Sequence, residues 1–315
     1  MGVIDAIAEG CFAVARRPVL VLPPVALDLL YWAGGRLSAA PLVDAYLRLV
    51  RASGVTIEPG LAESLNDFAA RSDLFTLLSL GLDALLPAID ADRVARPWGQ
   101  GVLDPGHWSL VLLGGIALTL LGLLLLALYL VGLAQLVREE PFDPRRIARR
   151  APVCWLRLLG LYAIVIGGVI LLGLPVFLLA ALLALAGAGA GVGLLLFLFI
   201  LPLLWLYCFL ALAPEAIAVS EVGPLQGIKL SVRVVRRNFW ATIGLLAATL
   251  LITVGLPYGW RVLTPNPAGV ALAIAGNAYV ATGLTAAAMV FYRERLAALE
   301  ESGSRAVGQS GSGRR

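Results

Sequence analysis

Between Trp108 and Val137 thirty consecutive residues pass without one charged side chain. As an α-helix such a run extends about 45 Å at 1.5 Å per residue, more than the roughly 30 Å hydrocarbon core of a bilayer. A soluble domain has no place for it, because a soluble surface must be covered by polar groups. Comparable apolar runs lie at 158–186, 191–213, 239–262 and 268–292, and a shorter one at 19–35 is interrupted by Pro23-Pro24 and carries Asp28. Composition follows from these runs: 60% of the 315 residues are hydrophobic and 14% charged. Soluble domains sit near about 45–50% and 25%. The expected fold class is all-α, a polytopic transmembrane helix bundle of about six spans plus amphipathic interfacial helices. One membrane domain over 1–299 and a disordered Ser/Gly/Arg-rich tail over 300–315 complete the expected organisation.

The stretches between the runs are patterned too. Residues 3–15 place Ile4, Ile7, Ala8, Cys11 and Val14 at helical spacing, with Asp5 and Glu9 opposite, until Arg16-Arg17-Pro18 ends the helix. No signal-peptide order of charged, apolar and cleavable regions is seen, so the first span is expected to be retained. The long segment 36–107 reads as several amphipathic helices. Leu42, Val43, Tyr46, Leu47 and Val50 share one face, and Leu61, Leu65 and Phe68 another. Residues 74–89 are more apolar, with a polar stripe of Thr76, Ser79 and Asp83. Sixteen residues cover only about 24 Å as a helix, so this piece is expected to be interfacial or re-entrant. The Gly187-Ala188-Gly189-Ala190-Gly191 stretch is expected to be a tight turn between helices, since no strand precedes it as a dinucleotide loop requires.

Charge orients the six-span arrangement. Seventeen of the 24 Lys and Arg residues fall on the side of the two termini, and seven on the other, where they meet nine acids. The positive-inside rule therefore expects both termini in the cytoplasm and 36–107 outside. If 74–89 also crossed, the N-terminus would move outside and the division would become nineteen to five. Length, Pro87 and the cost of burying Asp83 argue against that.

The most distinctive segment is Pro214-Glu215-Ala216-Ile217-Ala218-Val219-Ser220-Glu221 followed by Val222 to Trp240. Over 224–238 Leu225, Ile228, Val232 and Val235, then Phe239, recur at three- and four-residue steps, with Lys229, Arg233, Arg236 and Arg237 opposite. This pattern expects a helix lying in the cytoplasmic interface, its cations near anionic lipid headgroups. Glu215 is expected to cap a helix or pair with Arg233 or Arg236. The proline–glutamate pair leaving a span, the Gly223-Pro224 turn and the Ile-Lys-Leu-Ser and Val-Val-Arg-Arg-Asn-Phe-Trp strings resemble a bacterial multi-pass membrane-protein family. That family is related to the membrane domain beside some glycerophosphoryl diester phosphodiesterases. The resemblance implies a six-helix domain of unknown role in the bacterial inner membrane. The phosphodiesterase domain itself is absent, because its paired histidines cannot come from a chain whose one histidine is His107.

Chemistry is sparse. Asp28 is eight residues from Arg36, about 12 Å along a helix, and an ionisable group inside a span is costly. Thr119 and Asn277 fall at similar depth, so Asp28, Thr119 and Asn277 form a candidate midplane polar site. The plainer reading of Asp28 is a protonated side chain bonded to a neighbouring helix or to Trp32. Gly269, Ala273, Asn277, Ala281 and Thr285 repeat every four residues and suit close helix packing. Cys11, Cys154 and Cys208 lack metal spacing, and no catalytic or phosphate-loop motif is found. No metal, cofactor or nucleic acid is expected, and the lipid bilayer is the one partner implied. These observations favour a non-enzymatic scaffold or accessory protein. A transporter or channel-like protein for a proton or small polar solute, using Asp28, is the alternative.

Overall fold

The structure, a computed structural model, describes residues 2–54, 59–89, 94–96 and 101–312, with side chains through 302 except that of Pro59. The parts of the expected 36–107 segment at 55–58, 90–93 and 97–100, and the last three tail residues, lie outside the described residues. The helices are α1 (Val3–Arg16), α2 (Leu22–Ala33), α3 (Ala40–Ala52), α4 (Pro59–Arg71), α5 (Trp108–Val137), α6 (Pro144–Leu185), α7 (Gly189–Leu210), α8 (Ala213–Ser220), α9 (Pro224–Arg237), α10 (Phe239–Trp260) and α11 (Pro267–Ser312). Two short strands, β1 (Arg36–Leu37) and β2 (Val102–Leu103), pair in parallel.

Five stretches are long and apolar enough to cross a membrane: Trp108–Val137, Pro144–Leu185, Gly189–Ser220, Phe239–Trp260 and Pro267–Ser302. A sixth exists only if α1 and Pro18–Ala33 count together, and these are bent by 104° at their junction. The fold is thus the all-α polytopic bundle the sequence predicts, with five or six candidate spans. The expected first span, 19–35, is a single 3-10 turn (Pro18–Val21) followed by twelve α-helical residues. At 2.0 and 1.5 Å per residue the two reach about 26 Å, short of a full crossing. Residues 74–89 form 3-10 turns at Leu74–Ser79 and Leu86–Ala88 rather than one helix. Gly81, at φ +79°, takes a conformation open mainly to glycine and breaks the segment. The expected disordered tail is corrected as well: α11 runs on through Ser312. Extending an established helix fixes one residue per added bond and is far less costly than starting one.

Local signals set the ends of the long helices. Asp143 accepts the amides of Arg145 (2.9 Å) and Arg146 (3.3 Å) and caps α6, with Pro144 in its first turn. Gly187, at φ +75°, closes α6: its amide reaches the carbonyl of Ala184, and that of Ala188 reaches Leu183. This paired C-terminal bond pattern makes the glycine-rich stretch the tight turn expected of it. Helical structure continues through Pro152 and Pro175 in α6 and Pro202 in α7.

The chain divides into two compact units. One comprises Met1–Arg16, Leu130–Leu250 and Gly283–Arg315. In it α1 lies on α11 through small residues. A Cβ added to Gly10 would stand 2.5 Å from the Ala287 amide nitrogen and the Gly283 carbonyl oxygen. The buried face of α1 is Ala6, Gly10, Ala13 and Val14, whereas Ile4 and Phe12 are exposed. The stripe read from the sequence is thus split: Val14 is buried and Ile7 half-buried, while Ile4 points away from the protein. From Gly283 to Tyr292, α11 is buried on nearly every side.

The other unit comprises Arg17–Tyr129 and Leu251–Thr282. Here α2 is stitched to the segment after it by polar contacts with backbone. Tyr31 Oη donates to the Phe75 carbonyl (3.1 Å) and Trp32 Nε1 to that of Ala95 (2.7 Å). Asp73 accepts the amides of Leu37 and Phe75, both at 3.0 Å. The predicted amphipathic helices exist as α3 and α4, but only part of each apolar face is covered. Leu47 and Ala69 are buried, while Leu42, Tyr46, Leu49, Leu61 and Phe68 are exposed.

Candidate functional site

Asp28 sits on the inward side of α2 with Leu27 and Tyr31 and is fully buried. Its Oδ2 accepts the Leu85 amide and its Oδ1 the Leu86 amide, each at 2.9 Å. Those amides open the 3-10 turn Leu86–Ala88, so the carboxylate acts as a cap supplied from a distant helix. Two N–H donors aimed at two oxygens match an ionised carboxylate, which is acceptor-only. The expected alternatives, a protonated group or a bond to Trp32, give way to this arrangement: the indole is committed to Ala95.

Asn277 comes to the same loop from α11, its Nδ2 donating to the Asp83 carbonyl at 3.3 Å. Asp28 and Asn277 therefore grip neighbouring residues of one turn, Asp83 to Leu86. Thr119 does not join them. Its hydroxyl donates to the Gly115 carbonyl one turn back in α5, at 2.8 Å, the ordinary way for a membrane helix to satisfy a threonine. Two of the three candidate residues thus converge, and they converge on backbone. Sequence reasoning could name the carboxylate but not its partners, since backbone amides leave no mark in a sequence.

The second candidate site is α9, whose surface divides in three. Gly227, Ser231, Val234 and Val235 are buried. Gly227 makes close approach possible: an added Cβ would lie 2.7 Å from the Ile217 side chain and 3.4 Å from the Ala213 carbonyl oxygen. Ser231 Oγ donates to the Phe209 carbonyl at 2.7 Å. Lys229, Arg233, Arg236 and Arg237 are exposed together. Leu225, Ile228 and Val232 form the third face; Leu225 is exposed and the other two are half-buried. Of the apolar stripe of α9, only Val235 is buried. The inward face belongs instead to the small pair Gly227 and Ser231, four residues apart, and that spacing is the signal the sequence offered.

Glu215 does not meet Arg233 or Arg236. Its Oε2 is buried without a hydrogen-bond partner. The acid that does pair is Glu221, which follows α8 in a left-handed conformation (φ +53°) and binds Arg138 at 2.7 Å and Arg150 at 2.5 Å. Comparison with protein-family models, with curated proteins and with solved structures finds no match to this chain.

Proposed function

We propose that this chain is a non-enzymatic multi-pass scaffold of the bacterial inner membrane, with both termini cytoplasmic and α9 lying in the cytoplasmic headgroup layer. The observation that carries the reading is the three-way division of α9. A helix held on the protein by one face, with cations on a second and an exposed leucine beside a half-buried isoleucine and valine on a third, is suited to an anionic membrane surface. Each cation near such a surface contributes about 1 kcal/mol. Trp240, exposed at the start of α10, suits the same depth. The excess of Lys and Arg on the side of the termini supports the orientation. A transporter built on Asp28 would need that carboxylate to meet water or solute, whereas its side chain is sealed and both oxygens are engaged.

The test is a spin label at Leu225→Cys and at Lys229→Cys, with Cys11, Cys154 and Cys208 replaced by serine, in nanodiscs containing phosphatidylglycerol. The label at 225 should be relaxed by oxygen and the one at 229 by a water-soluble nickel complex. Equal access of the nickel complex to both would overturn the reading.

A further inference from the structure

A cavity of about 190 Å³ lies among α5, α6 and α8, and four arginines are among the residues that line it. Arg138 reaches it from the end of α5. Arg149, Arg150 and Arg157 come from α6, with Cys154 between them, and Glu221 stands on the α8 side. Arg150, Cys154 and Arg157 share one face of α6 because they fall at four-, three- and seven-residue steps, and Arg149 flanks that face.

The charges are not balanced. Glu221 Oε1 holds Arg138 and Arg150, and Glu140 holds Arg138 at 3.3 Å, Arg146 at 3.0 Å and Arg150 at 3.8 Å. Arg149 and Arg157 have no carboxylate or hydrogen-bond partner among the described residues. Four lining arginines against Glu221 and the adjoining Glu140 leave two positive charges uncompensated at the concavity, those of Arg149 and Arg157. The two glutamates also fix the guanidinium groups of Arg138 and Arg150, so part of the frame is set before a ligand arrives. Guanidinium forks match phosphate oxygens in pairs, and clustered arginines are the usual means of recognising that group. Val131, Val153 and Ile217 line the same cavity and give it an apolar part beside the cations.

We infer that this cavity binds a phosphate monoester dianion, carried by a lipid headgroup or by a free phosphate. The inference does not rest on α9 lying among headgroups, since none of Lys229, Arg233, Arg236 and Arg237 lines the cavity.

The experiment uses the full chain in a maltoside detergent without phosphate buffer. Phosphatidic acid is titrated and read by native mass spectrometry, and inorganic phosphate is then added as competitor. Saturable binding of one phosphatidic acid is expected, weakened tenfold or more for each arginine removed in Arg149→Gln and Arg157→Gln. The triple variant Arg233→Gln, Arg236→Gln, Arg237→Gln should bind as the unaltered chain does. Competition by inorganic phosphate identifies the phosphate group itself as sufficient, and binding without competition identifies a lipid-borne phosphate; either supports the site. Because Arg149 and Arg157 have no partner to lose, their double variant should keep the thermal midpoint of the parent. No saturable binding of either probe, or equal binding by that double variant, would overturn the inference. Loss of binding only in the α9 triple variant would also overturn it, by assigning the anion to α9.

Discussion

Replacing Asp28 by asparagine perturbs one buried junction while preserving its shape. The carboxylate accepts two amide hydrogen bonds of 2.9 Å. Asparagine keeps one oxygen and turns an NH₂ group toward the second amide, so one bond is lost and one buried N–H is left without a partner. Hydrogen bonds to a charged acceptor contribute about 1.5–3 kcal/mol, and an orphaned buried donor costs about 1–3 kcal/mol. Removing a buried charge returns part of this, because desolvating an ion costs several kcal/mol. The balance is a local destabilisation of about 2 kcal/mol, which is roughly thirtyfold in the opening equilibrium of the turn. Alanine leaves both amides unpaired and should cost more, about 3–4 kcal/mol. Hydrogen exchange read by mass spectrometry on peptides spanning 79–89 is the assay, with the chain in nanodiscs. Amides of Leu85 and Leu86 should exchange about thirtyfold faster in Asp28→Asn, while peptides from α6 and α7 stay unchanged. Exchange within twofold of the parent would refute the capping role. Unchanged exchange together with a loss of proton or solute flux would place Asp28 in a transport pathway instead.

Four further outcomes are expected. Gly10→Ala forces a Cβ to within 2.5 Å of α11 backbone and should destabilise the chain by about 1–3 kcal/mol, seen as a lower thermal midpoint. Gly60→Ala, with nothing within 4 Å, should instead gain about 0.5–1 kcal/mol from helix propensity. Thr119→Val removes a bond made only to the carbonyl of Gly115 and should shift stability by less than about 0.5 kcal/mol, with no effect on exchange at Leu85. Single cysteines at Asp5 and Ser302, with the native cysteines replaced, should both be labelled by an impermeant thiol reagent from the cytoplasmic side; labelling from opposite sides would sink the six-span topology.

The sequence by itself determined the class of this protein. Charge-free runs such as Trp108–Val137 have only one solvent that accepts them, and five of the six expected spans are long apolar helices, although α6 begins at Pro144 rather than near 158 and α11 runs on past 292. It also located the turn at Gly187 and the break at Arg17-Pro18, because glycine and proline act on the backbone locally. What it left open was which residues of the amphipathic helices face the protein. A stripe such as Ile4 and Ile7 of α1 or Leu225 and Ile228 of α9 marks an apolar side of a helix without saying what that side meets. In lipid a leucine gains little from protein over acyl chain, and the contacts that matter are those letting backbones approach. The structure accordingly turns Ala6 and Gly10, and Gly227 and Ser231, inward and leaves Ile4 and Leu225 outside. Asp28 carries the same lesson. That Asp28 is kept from water was legible, but its partners are the amides of Leu85 and Leu86, 57 and 58 residues away, and only the folded chain brings them together.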